Sequence, residues 1–133
     1  YCILVAEDNS SNRIVFKKLL SQIRKDIQIV WAGNGIEALK KFEESLATGV
    51  PFDLCFMDIQ MPKMNGIDAT KAIRKLETTH SICAMPIIAL TADEVADVNQ
   101  QEKFSKAGMD GALGKPLNKG HLTTLLAKYF PSQ

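Results

Sequence analysis

An acidic pair, Glu7-Asp8, closes the apolar run YCILVA; a lone aspartate, Asp58, closes FDLCFM; Thr91 follows MPIIAL; and Lys115 follows GALG. A carboxylate at the end of a buried stretch is costly unless the chain leaves the core there or the charge gains a partner. If the three acids meet, two carboxylates about 4 Å apart repel by about 4 kcal/mol at an effective dielectric near 20, more than one lysine offsets. A hard divalent cation does offset it, and Mg²⁺ suits a site offering one or two carboxylates plus water. A metal-neutralised Asp58 beside an ammonium and a hydroxyl is equipped for phosphoryl transfer. Asp58 would be the nucleophile, the metal and Lys115 would hold the developing charge, and Thr91 would donate to a phosphoryl oxygen. In FMDIQMPKMNG, Pro62 and Gly66 would shape the loop over such a site and start the next helix.

These side chains converge only if the chain folds in a particular way, and its pattern predicts that fold. Short apolar runs at Tyr1–Ala6, Ile27–Ala32, Phe52–Met57 and Met85–Leu90, with a weaker one at Gly111–Gly114, read as strands buried on both faces. Between them lie stretches with helical spacing. Val15, Phe16, Leu19, Leu20 and Ile23 make one apolar stripe; Ile36, Leu39, Phe42 and Leu46 make a second, opened by an Asn34/Glu37 capping pair. Ala69, Ala72, Ile73 and Leu76 make a third, and Leu122, Leu125, Leu126 and Tyr129 the last. The stretch 93–107 has the weakest stripe, Val95, Val98 and Phe104, and 78–84 reads as a polar loop. Five strand–helix repeats predict an α/β three-layer sandwich with a parallel sheet, of the flavodoxin-like (βα)5 type in strand order 2-1-3-4-5. Ligands of such sheets bind beyond the carboxyl ends of the strands, where the order reverses, here between strands 1 and 3. Glu7-Asp8, Asp58, Thr91 and Lys115 all fall at that edge.

The 133 residues fit one domain, with 46% hydrophobic and 23% charged content typical of a globular chain. A net charge of +1, sixteen Lys+Arg against fifteen Asp+Glu, gives no electrostatic case for nucleic acid or a membrane surface. No apolar stretch approaches the roughly 20 residues needed to span a bilayer. Cys2, Cys55 and Cys83 show no CxxC spacing, and with His80 and His121 unremarkable in context zinc is not expected. A reducing, cytoplasmic compartment is the expectation. Starting at Tyr1 without an initiator Met, the chain is expected to be a piece of something longer or a trimmed form. Trp31 reads as packing, His121 as a surface histidine, and Lys17, Lys18, Arg24 and Lys25 as the wet face of the first helix.

VAEDN (Val5–Asn9), MDIQMPKMNG (Met57–Gly66), ALTA (Ala89–Ala92) and KP (Lys115–Pro116) together resemble the receiver domain of two-component response regulators. The match covers essentially the whole chain, 1–133, as a single domain, and DIQMPKMNG with AGMDGALGKPL is most similar to receivers attached to hybrid histidine kinases. The resemblance implies that Asp58 is the phosphoacceptor. It implies Asp8 as direct Mg²⁺ ligand, Glu7 acting on the metal through water, and Gln60 contributing its backbone carbonyl. Thr91 would be the switch hydroxyl, with small Ala92 leaving room for the phosphoryl group, and Lys115 the phosphate contact, followed by a cis peptide to Pro116. The phosphoryl group would come from a phosphohistidine on a histidine kinase or a histidine-phosphotransfer protein. Docking would use the helix around residues 12–22 and the loop around Lys115. The expected setting is cytoplasmic, including as part of a larger membrane-anchored kinase.

One departure matters: where receivers usually carry Tyr or Phe, three residues before the lysine, this chain has Ala112. A methyl group has no ring to turn inward when the threonine moves. A pseudo-receiver that binds partners without phosphorylation therefore stands as the alternative. A flavin carrier on the same fold is disfavoured by the acidic EDNSSNR after strand 1. A phosphohydrolase with an aspartyl nucleophile is disfavoured by Gln60 where a second carboxylate would serve as acid.

Overall fold

Alternate residues of a strand face opposite sides of its sheet, so a strand apolar at every position must bury both faces. Residues 1–92 and 98–130 are described by the computed structural model. Their elements run β1 (Cys2–Ala6), α1 (Ser10–Ile23), β2 (Gln28–Ala32), α2 (Gly35–Thr48), β3 (Leu54–Asp58), α3 (Gly66–Thr79), β4 (Ile87–Thr91), α4 (Val98–Ala107), β5 (Gly111–Gly114) and α5 (Lys119–Tyr129). The five strands are parallel in the order β2-β1-β3-β4-β5, as the alternation predicts. Ile3, Val5, Leu54, Phe56, Ile88 and Leu90 join Phe16 and Leu20 of α1 and Leu122 and Leu126 of α5 in one core layer. Leu4, Ala6, Cys55, Met57, Ile87 and Ala89 point the other way, against Phe42 of α2, Ile73 of α3 and Phe104 of α4. No helix among the described residues is long and apolar enough to cross a membrane.

Asparagine starts four of the helices. Asn9, Asn34, Asn65 and Asn118 each accept a hydrogen bond from the backbone N–H three residues on, satisfying a donor that the first helical turn leaves open. The predicted Asn34/Glu37 pair is present, but Glu37 returns to the Asn34 amide (3.0 Å) rather than to a backbone N–H. The loop after β3 is tight: Gly66 N–H donates to Ile59 O (3.0 Å), and a Cβ at Gly66 would collide with the Asp58 carbonyl oxygen. Glycine is therefore required where α3 starts directly beneath the end of β3.

Several sequence expectations change in detail. Asp58 and Thr91 are themselves the last residues of β3 and β4, while Phe52 and Ile27 lie outside their strands. β2 is an edge strand and only half-buried, so it does not bury both faces. Val15 and Ile36 leave their apolar stripes for solvent, 48% and 49% exposed. Thr78 and Thr79 complete α3 rather than opening a loop. Arg24 is not on the wet face. It pairs with Asp26 (2.7 Å), donates to Phe130 O (2.7 Å) and lies over the Tyr1 ring, which stacks on Phe130. The Val95/Val98 part of the weak fourth stripe falls outside the described residues and side chains.

An unforeseen polar clamp joins α3 to the opposite end of the sheet. The Arg74 guanidinium donates to Glu77 Oε1 (2.7 Å), Met85 O (2.8 Å), Gly108 O (2.7 Å) and Asp110 Oδ2 (2.9 Å). Glu77, 4% exposed, also takes the Met85 N–H at 2.6 Å. Removing one partner of a buried pair leaves the other charge uncompensated. Arg74→Ala should therefore lower stability by about 3–5 kcal/mol in urea unfolding; a loss below about 1 kcal/mol would show that Glu77 is satisfied without it.

Candidate functional site

Parallel strands in this register end together, and that alone brings the site to one edge. Ala6 pairs with both Ala32 and Met57, Asp58 with Leu90, and Thr91 with Gly114. Lys115 N–H donates to Thr91 O (2.8 Å), holding the ends of β4 and β5 side by side before the cis Lys115–Pro116 bond turns the chain. Glu7, Asp8, Asp58, Gln60, Thr91, Ala92 and Lys115 line one cleft of about 180 Å³. Each residue expected at the site is therefore in it.

Lys115 is the hub. Its Nζ lies 2.7 Å from Asp58 Oδ2 and 3.0 Å from Glu7 Oε2. Asp58 Oδ1 accepts the Gln60 N–H at 3.2 Å. Glu7 Oε1 accepts the Asn9 N–H (3.1 Å) and is reached by the Asn12 amide (3.4 Å). Glu7, Asp58 and Thr91 are buried, at 3%, 4% and 3% exposure, whereas Asp8 is exposed at the rim.

Burial drives the proton affinities. It pushes the Asp58 carboxyl up to about 6, against the pull of the Lys115 hydrogen bond and with help from the neighbouring Glu7 charge. Burial acts on Glu7 in the same sense, but hydrogen bonds from Lys115 and the Asn9 N–H outweigh it and hold Glu7 below its ordinary value. Burial opposes the charge on Lys115 too, yet its bonds to Asp58 and Glu7 keep it above the usual lysine range. Two buried acids thus share a single ammonium, and Asp8 at the rim adds a third carboxylate.

An oxygen atom from each of Glu7, Asp8 and Asp58 lies within 4.8 Å of the others. An all-oxygen donor set with surplus negative charge fits a hard dication such as Mg²⁺ and fits no soft metal. Ala112, the departure at the aromatic position, is half-buried beside Ala89 and packs on the core layer beneath α4. Sequence reasoning missed Asn12 and Arg13 as supports of the acidic corner. Arg13 Nε donates to the Glu7 carbonyl at 2.7 Å, and the guanidinium lies 5.4 Å from the Trp31 ring centroid. The available signal was spacing: residues five and six beyond Glu7 lie on the first turn of the helix that the acidic loop enters.

The response regulator receiver domain model matches residues 3–127. The chain belongs to the receiver domain family. It is 40% identical over 116 residues to hybrid signal transduction histidine kinase I of Dictyostelium discoideum, covering 87% of this chain and 6% of that protein. It is 38% identical to the osmosensing histidine protein kinase SLN1 of Saccharomyces cerevisiae, over 96% of this chain and 10% of the kinase. The chain thus spans a small fraction of these relatives. Among solved structures it resembles the receiver domain of the Arabidopsis thaliana histidine kinase CKI1 complexed with Mg²⁺ and BeF₃⁻ (TM-score 0.81, 30% identity, 98% of this chain and 90% of that one). It is also similar to the co-crystal structure of the Saccharomyces cerevisiae phosphotransfer protein Ypd1 with the Ssk1 receiver domain (TM-score 0.82, 29% identity, 96% and 87% coverage).

The raised Asp58 carboxyl has a stability consequence. Between its ordinary 3.8 and about 6 the folded state holds more protons than the unfolded chain, so stability falls as pH rises through that window. Asp58→Asn, which stays neutral, should stabilise the metal-free protein at pH 7 by about 1–2 kcal/mol, after allowance for solvent screening. The gain should shrink below about pH 6 and vanish well below the ordinary 3.8, at about pH 3, where the wild-type carboxyl is protonated in both states. Urea unfolding in chelator at the two pH values measures this; an equal gain at both would remove Asp58 ionisation as its source.

Proposed function

We propose that this receiver is a phosphoacceptor: Asp58 takes a phosphoryl group from a phosphohistidine, and its state alters the domain's affinity for protein partners. The observation that carries the reading is Lys115 Nζ at 2.7 Å from an Asp58 carboxylate that shares its corner with Glu7 and Asp8. An Asp58 oxygen attacks phosphorus, an O–P bond forms, and the N–P bond breaks with its electron pair returning to the imidazole nitrogen. Lys115, already on Oδ2, follows the charge onto the phosphoryl oxygens, and the Thr91 hydroxyl, at the same cleft, donates to one of them. Asp8 and Asp58 would hold Mg²⁺ directly, with the Gln60 carbonyl, and Glu7 through water. The cation, when bound, neutralises the acidic corner and the developing phosphoryl charge.

The partner would be a histidine kinase or a histidine-phosphotransfer protein, the class seen with the Ssk1 receiver in the similar complex. Ile14 and Val15 of α1 are 69% and 48% exposed. Beside them Val15, Phe16, Pro116 and Leu117 line a hollow of about 90 Å³ that also includes Glu7, Asn12 and Lys115. An apolar patch bordering the reactive cleft suits a docking helix. Three free cysteines accord with a reducing, cytoplasmic setting, which is part of the same proposal. A pseudo-receiver remains the competing reading, favoured by Ala112 alone.

Incubation with Mg²⁺ and acetyl phosphate should give acid-stable, base-labile phosphate on the wild type and none on Asp58→Asn. Labelling that survives in the folded variant would refute Asp58, and a wild type that never labels would favour the pseudo-receiver. Ile14→Arg should slow transfer from a phosphorylated histidine-phosphotransfer partner by about tenfold or more, while acetyl phosphate labelling stays within about twofold. Equal losses with both donors would mean that the helix face supports the site rather than the partner.

A further inference from the structure

Asp8 shares the direct metal role with Asp58 in the proposed site and has the least support for its own side chain. Its carboxylate makes no hydrogen bond or ion pair among the described residues, and it is exposed. Its position therefore comes from its backbone, above all from the Glu7–Asp8 peptide. The Glu7 N–H is tied to Ala32 O at 2.9 Å, which anchors the near side of that residue to β2. The Glu7 carbonyl lies past the end of β1, and the partner it takes is Arg13 Nε, at 2.7 Å.

Arg13 is itself held. Its backbone N–H bonds to Asn9 O in the first turn of α1 (3.1 Å), and its guanidinium lies against the Trp31 ring at the end of β2. A Cβ at Gly33 would stand 3.4 Å from its Nη2, an ordinary contact, and 2.8 Å from Glu37 Oε2, so glycine there makes room for the Glu37 carboxylate rather than for the guanidinium. A planar, permanently charged fork resting on an aromatic face is more rigid than a lysine in the same place. We infer that Arg13 is a positioning residue for the metal site: by gripping the Glu7 carbonyl against Trp31 it orients the Glu7–Asp8 peptide and so aims the Asp8 carboxylate. This inference rests on the phosphoacceptor reading, since it concerns the cation that reading requires.

Charge and position make opposite predictions, which isolates the effect. Arg13 is a cation near a dication site, so through charge alone its loss should tighten Mg²⁺ binding. Through position its loss should weaken it, as loss of outer-shell support does for other metal sites. Titration calorimetry of Mg²⁺ against the whole chain should give about tenfold weaker binding in Arg13→Met and an intermediate loss, about threefold, in Arg13→Lys. The Mg²⁺ concentration for half-maximal acetyl phosphate labelling should rise by the same factors, with the rate at saturating Mg²⁺ within about twofold of wild type. Metal-free thermal unfolding run in parallel shows whether each variant is folded. If Arg13→Met does not fold, Arg13→Lys decides, because it keeps the charge but not the Nε donor. Binding equal to or tighter than wild type in the folded variant would overturn the inference. Asp8→Asn separates the two levels: wild type that binds no Mg²⁺, or Asp8→Asn that binds it undiminished, removes the underlying reading. Loss in Asp8→Asn with none in the Arg13 variants removes only the role of Arg13.

Discussion

Three carboxylates and one ammonium meet at the end of a parallel sheet, and that imbalance of charge is what the rest of the molecule must sustain. Lys115 bonds to both Glu7 and Asp58, yet the corner keeps a surplus of negative charge once Asp8 at the rim is counted. Left in water these side chains would spread apart. They stay together because each sits on, or within two residues of, the end of a strand in one sheet whose core strands are fully buried. A close-packed interior does not open to rehydrate a carboxylate, so burial, helped by the neighbouring Glu7 charge, raises the Asp58 proton affinity instead. A corner of that kind is stabilised by whatever brings positive charge to it and draws in a group that spreads negative charge over the lysine.

The loops make the same point. Asn9 caps α1 and gives its N–H to Glu7, Asn65 caps α3 beneath Asp58, and Gly66 lets that helix begin where any side chain would strike the β3 carbonyl. The capping residues that stop the loops from wandering are thus neighbours of the acidic residues. Fold and site are built by one set of short-range bonds at the carboxyl edge, while the Arg74 clamp secures α3 to the other end of the sheet.

What was legible in the sequence was whatever depended on local pattern. Alternating strand and helix signals are enough for the 2-1-3-4-5 sheet, and a carboxylate that ends an apolar run is conspicuous, so Asp58, Glu7 and Asp8 could be assigned to one edge before any coordinates. Residues whose partners are distant in sequence were not legible. Arg24 looked like a solvated helix cation, but its partner Phe130 is 106 residues away. Arg74 reaches Gly108 and Asp110 across 34 and 36 residues. Val15 and Ile36 failed for a different reason. Helical spacing marks a stripe about 100° wide, and residues at its margin are buried only if a neighbouring element covers them; none covers these two.

Ala112 bears on how a change at Asp58 could be felt elsewhere. It packs on the layer beneath α4 with only a methyl group, so a ring moving between exposed and buried positions is not available on β5. One backbone bond and one side chain remain: Thr91 O accepts the Lys115 N–H, and the Lys115 ammonium bonds Asp58 while the residue lines the hollow beside Val15 and Pro116. A shift of the lysine toward a phosphoryl oxygen would weaken its hold on Glu7, which in turn is tied to α1 through Asn12 and Arg13. On this arrangement the surface best coupled to the chemistry is the α1 face on which a phosphotransfer partner would dock. On the proposed reading, a domain so wired would report its state chiefly to the protein that phosphorylates it, as suits a relay in which the donor must leave once the transfer is made.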